Sequence, residues 1–127
     1  MQQQHLFEYA VVRIVPQVER EEFLNVGVIL YCPKQQFLQV KFKLHEERFK
    51  LFSCDLDIEE LRSYLDGFKR ICIGGNDSGP IGKLPISERF RWLTATRSTV
   101  LQTSKVHPGL CEDAGEKLEK IFEQLVS

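Results

Sequence analysis

Apolar residues in the first part of the chain recur in patterns that are typical of β-strands. Residues 6–15 and 23–32 are rich in β-branched and aromatic side chains, and each segment is followed by a proline, which cannot donate to a sheet ladder. Residues 37–44 alternate strictly between apolar and polar side chains, which predicts one face in the core and one in water. Because the connections are short, these segments predict an antiparallel three-strand meander.

Helical periodicity begins in the middle of the chain. Apolar residues recur at three- and four-residue steps over residues 57–72, behind an aspartate suited to cap a helix. The same spacing predicts a second helix over residues 112–126, and Ser87 is suited to cap a short helix that runs to about residue 94. Glycines and prolines over residues 74–86 predict a loop with no regular element.

A fourth strand is predicted late in the chain, over residues 98–105, where both alternating faces are half polar, as on a sheet edge. The pattern therefore predicts an α+β fold. Its mostly antiparallel sheet has about four strands, the three-strand meander and the late strand, packed by two longer helices and a short one. We expect these helices on one face of the sheet. A chain of 127 residues is long enough to bury one core, which predicts a single domain over residues 1–127.

Composition narrows the class of protein. The hydrophobic share of 43%, the charged share of 28% and the net charge of -1 are ordinary for a globular domain and give no overall attraction to nucleic acid. A basic stretch over residues 81–107 keeps nucleic-acid binding as a weaker alternative. No signal peptide or membrane span is evident. The four cysteines are widely spaced along the chain, which together with the lack of a secretion signal predicts reduced thiols. We therefore expect a cytoplasmic protein with no membrane partner.

The sequence does not match the motifs of common catalytic and metal-binding sites. Gly82-Lys83 lacks both the earlier glycine and the following hydroxyl of a phosphate-binding loop. The three histidines and four cysteines lack the spacing of a zinc site, and there is no Gly-x-Ser-x-Gly elbow for a nucleophile. The sequence thus predicts no catalytic residue, no metal and no cofactor.

Two strands carry polar residues where apolar ones are expected. Arg13 interrupts an apolar face of the first strand, and Asn25 and Gly27 interrupt one face of the second, where Gly27 allows a backbone or a ligand to approach. A guanidinium in a central strand needs an anionic or carbonyl partner. Arg13 therefore either pairs with Glu22 or Glu8 or binds an external anion. Asn25 either ties down the connector between the strands or lines the same anion pocket.

A second candidate site surrounds the late strand. Arg97 and Ser98 lie within a hydroxyl-rich run over residues 94–103 and are suited to hold a phosphate or carboxylate. The alternative is an ordinary polar edge strand. Trp92 is interpreted either as a core anchor or as a platform on which a base could stack.

Four segments carry a family resemblance: YAVVR at residues 9–13, EFLNVGVIL at 22–30, TRS at 96–98 and HPG at 107–109. Together they resemble the family of small bacterial proteins named Domain of Unknown Function 3037, over nearly the whole chain. The resemblance implies no reaction, cofactor or catalytic residue. It implies a protein partner, because genes of the family often adjoin one for a kinase similar to the toxin kinases of toxin–antitoxin systems. The candidate ligand-binding residues that coincide with these segments are Arg13, Asn25, Gly27, Arg97, Ser98 and His107.

Two hypotheses about function follow from these residues. The preferred one is a non-catalytic binding or accessory module that engages a partner protein, such as that kinase, or a phosphate-bearing ligand through Arg13, Asn25 and Arg97. The alternative is a small enzyme that acts on a phosphate ester or nucleic acid, with His107 as general base and the two arginines as anion clamps. The enzyme hypothesis predicts that Arg13, Arg97 and His107 lie within about one ligand's width of each other in a cleft, and it requires Arg13 and His107 on the same side of the sheet.

Overall fold

Five strands form one antiparallel sheet in the computed structural model, which describes residues 3–15, 23–47, 57–95 and 101–126. The strands are β1 (His5–Ile14), β2 (Leu24–Cys32), β3 (Phe37–Phe42), β4 (Leu101–Thr103) and β5 (His107–Cys111). β1 pairs with β2, and β2 with β3, so the predicted three-strand meander is confirmed. β4 and β5 both pair with the other side of β1. The α+β fold with its mostly antiparallel sheet is therefore as the sequence predicts.

The late part of the chain contributes two edge strands where the sequence predicted one. β4 lies within the predicted strand 98–105, of which residues 98–100 fall outside the described part of the chain. β5 was missed, because its sequence HPGLC contains a proline and a glycine, which are depleted in strands. Pro108 fits there because an edge strand leaves one side of its ladder unpaired.

One extra residue separates β4 from β5 along the edge. The register shows it, with Thr103 opposite Val12 and His107 opposite Tyr9, so that four steps on the edge match three on β1. Ser104 bridges this bulge: its backbone N–H donates to the Val11 carbonyl, and its hydroxyl oxygen accepts the Val11 N–H, both at 2.8 Å. A side-chain oxygen thus replaces a ladder carbonyl where the two registers meet.

Both longer helices form as predicted, each behind an aspartate cap. α1 (Ile58–Ile73) follows Asp57, whose carboxylate accepts the Glu59 N–H at 3.0 Å. A second cap stands at Asp113, which accepts the Gly115 N–H at 3.2 Å. It precedes the last helix. The further helices are α2 (Gly79–Gly82), α3 (Ile86–Leu93) and this last one, α4 (Ala114–Leu125). Such caps satisfy backbone donors that have no partner within the first turn.

Details of the short helices differ from the prediction. α3 begins behind Pro85 rather than Ser87, because the fixed φ of proline suits the start of a helix. The predicted loop contains α2 and one 3-10 turn, Asn76–Ser78. Gly74, with φ of 76°, ends α1 in a conformation that a side chain disfavours.

Helices cover both faces of the sheet, so the expectation of helices on one face is wrong. On one side, the α1/α3 face, Leu65 and Phe90 pack in a cluster with sheet residues such as Ile29. On the other side, the α4 face, Leu118 packs in a second cluster with Val28 and its strand neighbours. β2 is accordingly buried at every position from residue 26 to 32, as expected for a strand between two layers. No helix in the described ranges is long and apolar enough to cross a membrane.

Candidate functional site

Three polar residues lie side by side across three neighbouring strands. Arg13 of β1 is directly opposite Asn25 of β2 on one side and Gln102 of β4 on the other. Residues opposed in antiparallel strands direct their side chains to the same face. The Asn25 amide donates to the carbonyl of Leu125 in α4 at 3.4 Å, which places this polar row, Asn25–Arg13–Gln102, on the α4 face.

The guanidinium of Arg13 is partly buried and lies over the ring of Phe23, with Cζ 4.1 Å from the ring centroid. Its Nε atom is buried and has no hydrogen-bond acceptor among the described residues. The ion pairs formed among the described residues do not include Arg13. Burial lowers the pKa of Arg13 from its ordinary value, because desolvation disfavours the charged form. Arg13 therefore retains hydrogen-bonding capacity for an anion.

The predicted internal pair between Arg13 and Glu8 is wrong. Side chains alternate along a strand, so positions 8 and 13 point to opposite faces of β1. Glu8 instead accepts two hydrogen bonds from Arg91 of α3, at 2.9 and 3.0 Å, on the α1/α3 face. Glu22, the other predicted partner, lies outside the described residues.

Asn25 carries a hydrogen-bond acceptor that complements the Nε–H donor of Arg13. Its side-chain nitrogen reaches Leu125, whereas its Oδ1 atom is buried and receives no hydrogen bond from the part of the chain that the structure describes. A donor on Arg13 and an acceptor on Asn25, both unsatisfied, thus belong to neighbouring residues of the polar row. Each buried atom of this kind costs about 1–3 kcal/mol. A group that accepts from Arg13 and donates to Asn25 would remove both costs.

Gly27 is required by the packing of β3. It lies opposite Phe42, and a Cβ at position 27 would lie 2.5 Å from the ring Cδ1 of Phe42 and 2.6 Å from the carbonyl oxygen of Lys41. The close approach that the sequence indicated at Gly27 is therefore made by a ring and a backbone of the protein itself.

His107 lies on the same face as Arg13, as the enzyme hypothesis requires. It pairs with Tyr9, the two rings standing 5.3 Å apart, and Tyr9 packs against the α4 cluster. Tyr9 and Arg13 are four residues apart on β1, which separates the two positions by about 14 Å along the strand. Arg97 and Ser98 lie outside the described residues.

A cavity of about 610 Å³ lies on the opposite side of the sheet, between α1, the end of α3 and β4. Phe68 and Leu93 line it at the core side. Tyr64 and Trp92 also line it and remain 53% and 38% exposed. Trp92 is thus partly packed against its neighbours and partly exposed in the cavity wall. Sequence reasoning missed the cavity, because its walls come from three elements that are far apart in the chain.

Metal and thiol chemistry find little support in the described part of the chain. No group of three His, Cys, Asp or Glu residues there could hold a metal ion. Cys32, Cys72 and Cys111 are buried free thiols, while Cys54 falls outside the described residues. Burial raises the pKa of Cys72 to about 12, which leaves its thiol protonated and unsuited to nucleophilic attack.

Comparison with known proteins gives one match. A family described as "Protein of unknown function (DUF3037)" matches residues 9–126, nearly the whole chain. No curated protein and no solved structure matches.

Proposed function

Because the chain belongs to the DUF3037 family, whose description assigns no activity, we propose its function from the site itself: a non-catalytic binding module that engages a phosphate-bearing ligand at the polar row. The observation that supports this proposal is the pair of buried, unsatisfied atoms, Nε of Arg13 and Oδ1 of Asn25. They sit on directly opposed residues of neighbouring strands, so a ligand group that enters between the two side chains would meet both.

The chemistry of this pair favours a phosphate monoester. Arg13 supplies only donors, and the Oδ1 atom of Asn25 supplies only an acceptor. A carboxylate would accept from Arg13 but has no proton for Asn25. A phosphate monoester has a second pKa of about 6, so that near neutral pH it offers both acceptor oxygens and a P–OH donor. The planar guanidinium is also suited to donate two parallel hydrogen bonds to two oxygens of a phosphate.

A partner protein is the second part of the proposal. The family resemblance implies a bacterial protein encoded beside a kinase, the sequence favours a cytoplasmic location, and a kinase or its products carry phosphate esters. The ester is then borne either by a small molecule or by a phosphorylated side chain of the partner. Free O-phosphoserine and a phosphoserine peptide distinguish these two sources.

Calorimetric titration of the purified protein with both compounds tests the proposal. We expect binding of at least one compound, weaker at pH 8 than at pH 6, because the P–OH donor is lost as the pH rises through about 6. Arg13→Met should weaken binding at least tenfold. Arg70→Met is the matched control, since Arg70 is an exposed arginine on α1 that pairs with Asp66 at 3.8 Å.

Asn25→Asp separates ligand binding from an internal contact. A carboxylate at position 25 would repel the phosphate and attract Arg13, so we expect weaker binding together with a more stable fold. If neither phosphoserine compound binds the wild type at millimolar concentration while Asn25→Asp still stabilises it, Arg13 and Asn25 satisfy each other and the proposal fails.

The small enzyme remains the second candidate, supported by the shared face of His107 and Arg13. Hydrolysis of p-nitrophenyl phosphate by the wild type, lost in His107→Asn with phosphoserine binding unchanged, would favour it. Absence of turnover with intact binding would favour the binding module.

A further inference from the structure

The cavity on the α1/α3 face differs in chemistry from the rest of the surface. Among the residues that the structure describes, none that lines its volume of about 610 Å³ is charged, although 28% of the chain is charged. Its aromatic walls come from Tyr64 and Phe68 of α1 and Trp92 of α3. Its few polar groups include Ser63, Gln102 and Thr103. A charged ligand would lose its hydration there without gaining a partner, so the walls are complementary to an uncharged one.

Gly67 supports the view that this cavity is kept open for an occupant. It lies in the interior of α1, where a glycine destabilises a helix relative to alanine, and it lines the cavity. A Cβ built at position 67 meets nothing within 4 Å. Gly67 is also not among the positive-φ residues of the described chain. Neither packing nor backbone geometry therefore requires glycine here, whereas any larger side chain would project into the cavity.

We infer that this cavity is a binding site for an uncharged aromatic small molecule. Its volume falls within the roughly 300–1,000 Å³ of small-molecule sites, and mostly apolar walls with a few polar groups are typical of them. Flat aromatic rings pack favourably against aromatic side chains in offset or edge-to-face arrangements. Arg13 and Asn25 lie on the other face of the sheet from this cavity, whereas Gln102 of the polar row also lines it.

The protein carries its own reporter for this site, because Trp92 is the single tryptophan of the chain. N-phenyl-1-naphthylamine is an uncharged aromatic probe that accepts energy from tryptophan, and 8-anilino-1-naphthalenesulfonate is the same molecule with one sulfonate. We expect the uncharged probe to bind with energy transfer from Trp92. The sulfonated probe should bind at least tenfold more weakly.

Gly67→Leu tests the location of the bound probe. The leucine side chain would enter the cavity without clashing with the fold, so affinity for the uncharged probe should fall at least tenfold while the circular dichroism spectrum stays unchanged. Lys69→Leu adds the same side chain at an exposed position of α1 that does not line the cavity. It should bind within twofold of the wild type.

Three results would overturn the inference. Unchanged binding by Gly67→Leu would place the probe elsewhere, and equal affinity for the sulfonated probe would refute the selection against charge. No energy transfer from Trp92 at saturating probe would mean that small aromatic molecules do not occupy the cavity, which would leave a side chain of a partner protein as its occupant.

Discussion

The ring of Phe42 covers Gly27, its partner across the β2–β3 ladder, so closely that a Cβ at position 27 would lie 2.5 Å from the ring. The carbonyl oxygen of Lys41 closes the same space at 2.6 Å and cannot move without displacing β3. We therefore expect Gly27→Ala to lower the free energy of unfolding by about 1–3 kcal/mol, as overpacking does. Urea denaturation measures this change. A loss below about 0.5 kcal/mol would show that Phe42 and β3 adjust freely.

Gly67 should respond in the opposite direction to the same substitution. Nothing lies within 4 Å of a Cβ at this helical position. Replacing a helix-interior glycine with alanine should therefore raise the free energy of unfolding by about 0.5–1 kcal/mol. Thermal unfolding followed by circular dichroism provides the measurement. A destabilised Gly67→Ala would mean that glycine has a structural role at this position.

Arg89 should be important for stability despite its charge. Its Nη1 donates to the carbonyls of Ile71 and Cys72 at 3.0 and 2.8 Å, and its Nε donates to the carbonyl of Leu84 at 3.0 Å. These carbonyls include orphan acceptors at the end of α1, where a cation also interacts favourably with the helix dipole. Arg89→Met should cost about 2–3 kcal/mol in urea denaturation, since hydrogen bonds to a charged group are removed.

Arg91→Met is the matched control for Arg89, two residues further along α3. Arg91 makes a bidentate pair with Glu8, but its side chain is 59% exposed. Surface ion pairs contribute at most about 1 kcal/mol and weaken with salt. A loss at Arg91 equal to that at Arg89 would contradict the assignment of Arg89 as the residue that holds the end of α1.

Cys72 should make the protein less stable at alkaline pH. Burial raises the pKa of its thiol from an ordinary 9.0 to about 12, with the nearby Arg89 offsetting part of the shift. Because the folded pKa is the higher one, the contribution of Cys72 is complete below pH 9 and is lost as the pH rises from 9 towards 12. Urea denaturation from pH 8 to 10.5 should show a shallower decline for Cys72→Ala than for the wild type. Parallel declines would contradict a buried, protonated Cys72.

Local patterns in the sequence predicted most of the fold. The meander and the two capped helices were correct, because alternation, helical periodicity and aspartate caps act over a few residues. The presence of helices on both faces was missed, although β2 is apolar at successive positions from residue 26 to 32, a pattern typical of a strand between two layers. β5 was missed because tertiary pairing with β1 outweighs the low strand propensity of Pro108 and Gly109.

The candidate site was only partly predictable. Alternation alone excludes an Arg13–Glu8 pair, since the two residues are five positions apart on one strand and therefore point to opposite faces. The register that sets Arg13 opposite Asn25 could not be predicted, because it depends on a β-bulge. Between the Val12–Gly27 pair and the Arg13–Asn25 pair, β2 has one extra residue, Val26. The cavity needed the tertiary structure, although a glycine inside a strongly periodic helix was a usable signal at Gly67.

The bulge at Ser104 reverses the face of the sheet to which the odd-numbered residues of the edge segment point. Before it, Leu101 packs with the α1/α3 cluster; after it, Cys111, also an odd-numbered residue, packs with the α4 cluster. Deleting one residue here would turn β5 over, moving Cys111 out of its core and the exposed Leu110 into it. At Ser104, therefore, the edge segment passes from packing its odd-numbered residues in one core to packing them in the other. Insertions or deletions around Ser104 should be poorly tolerated.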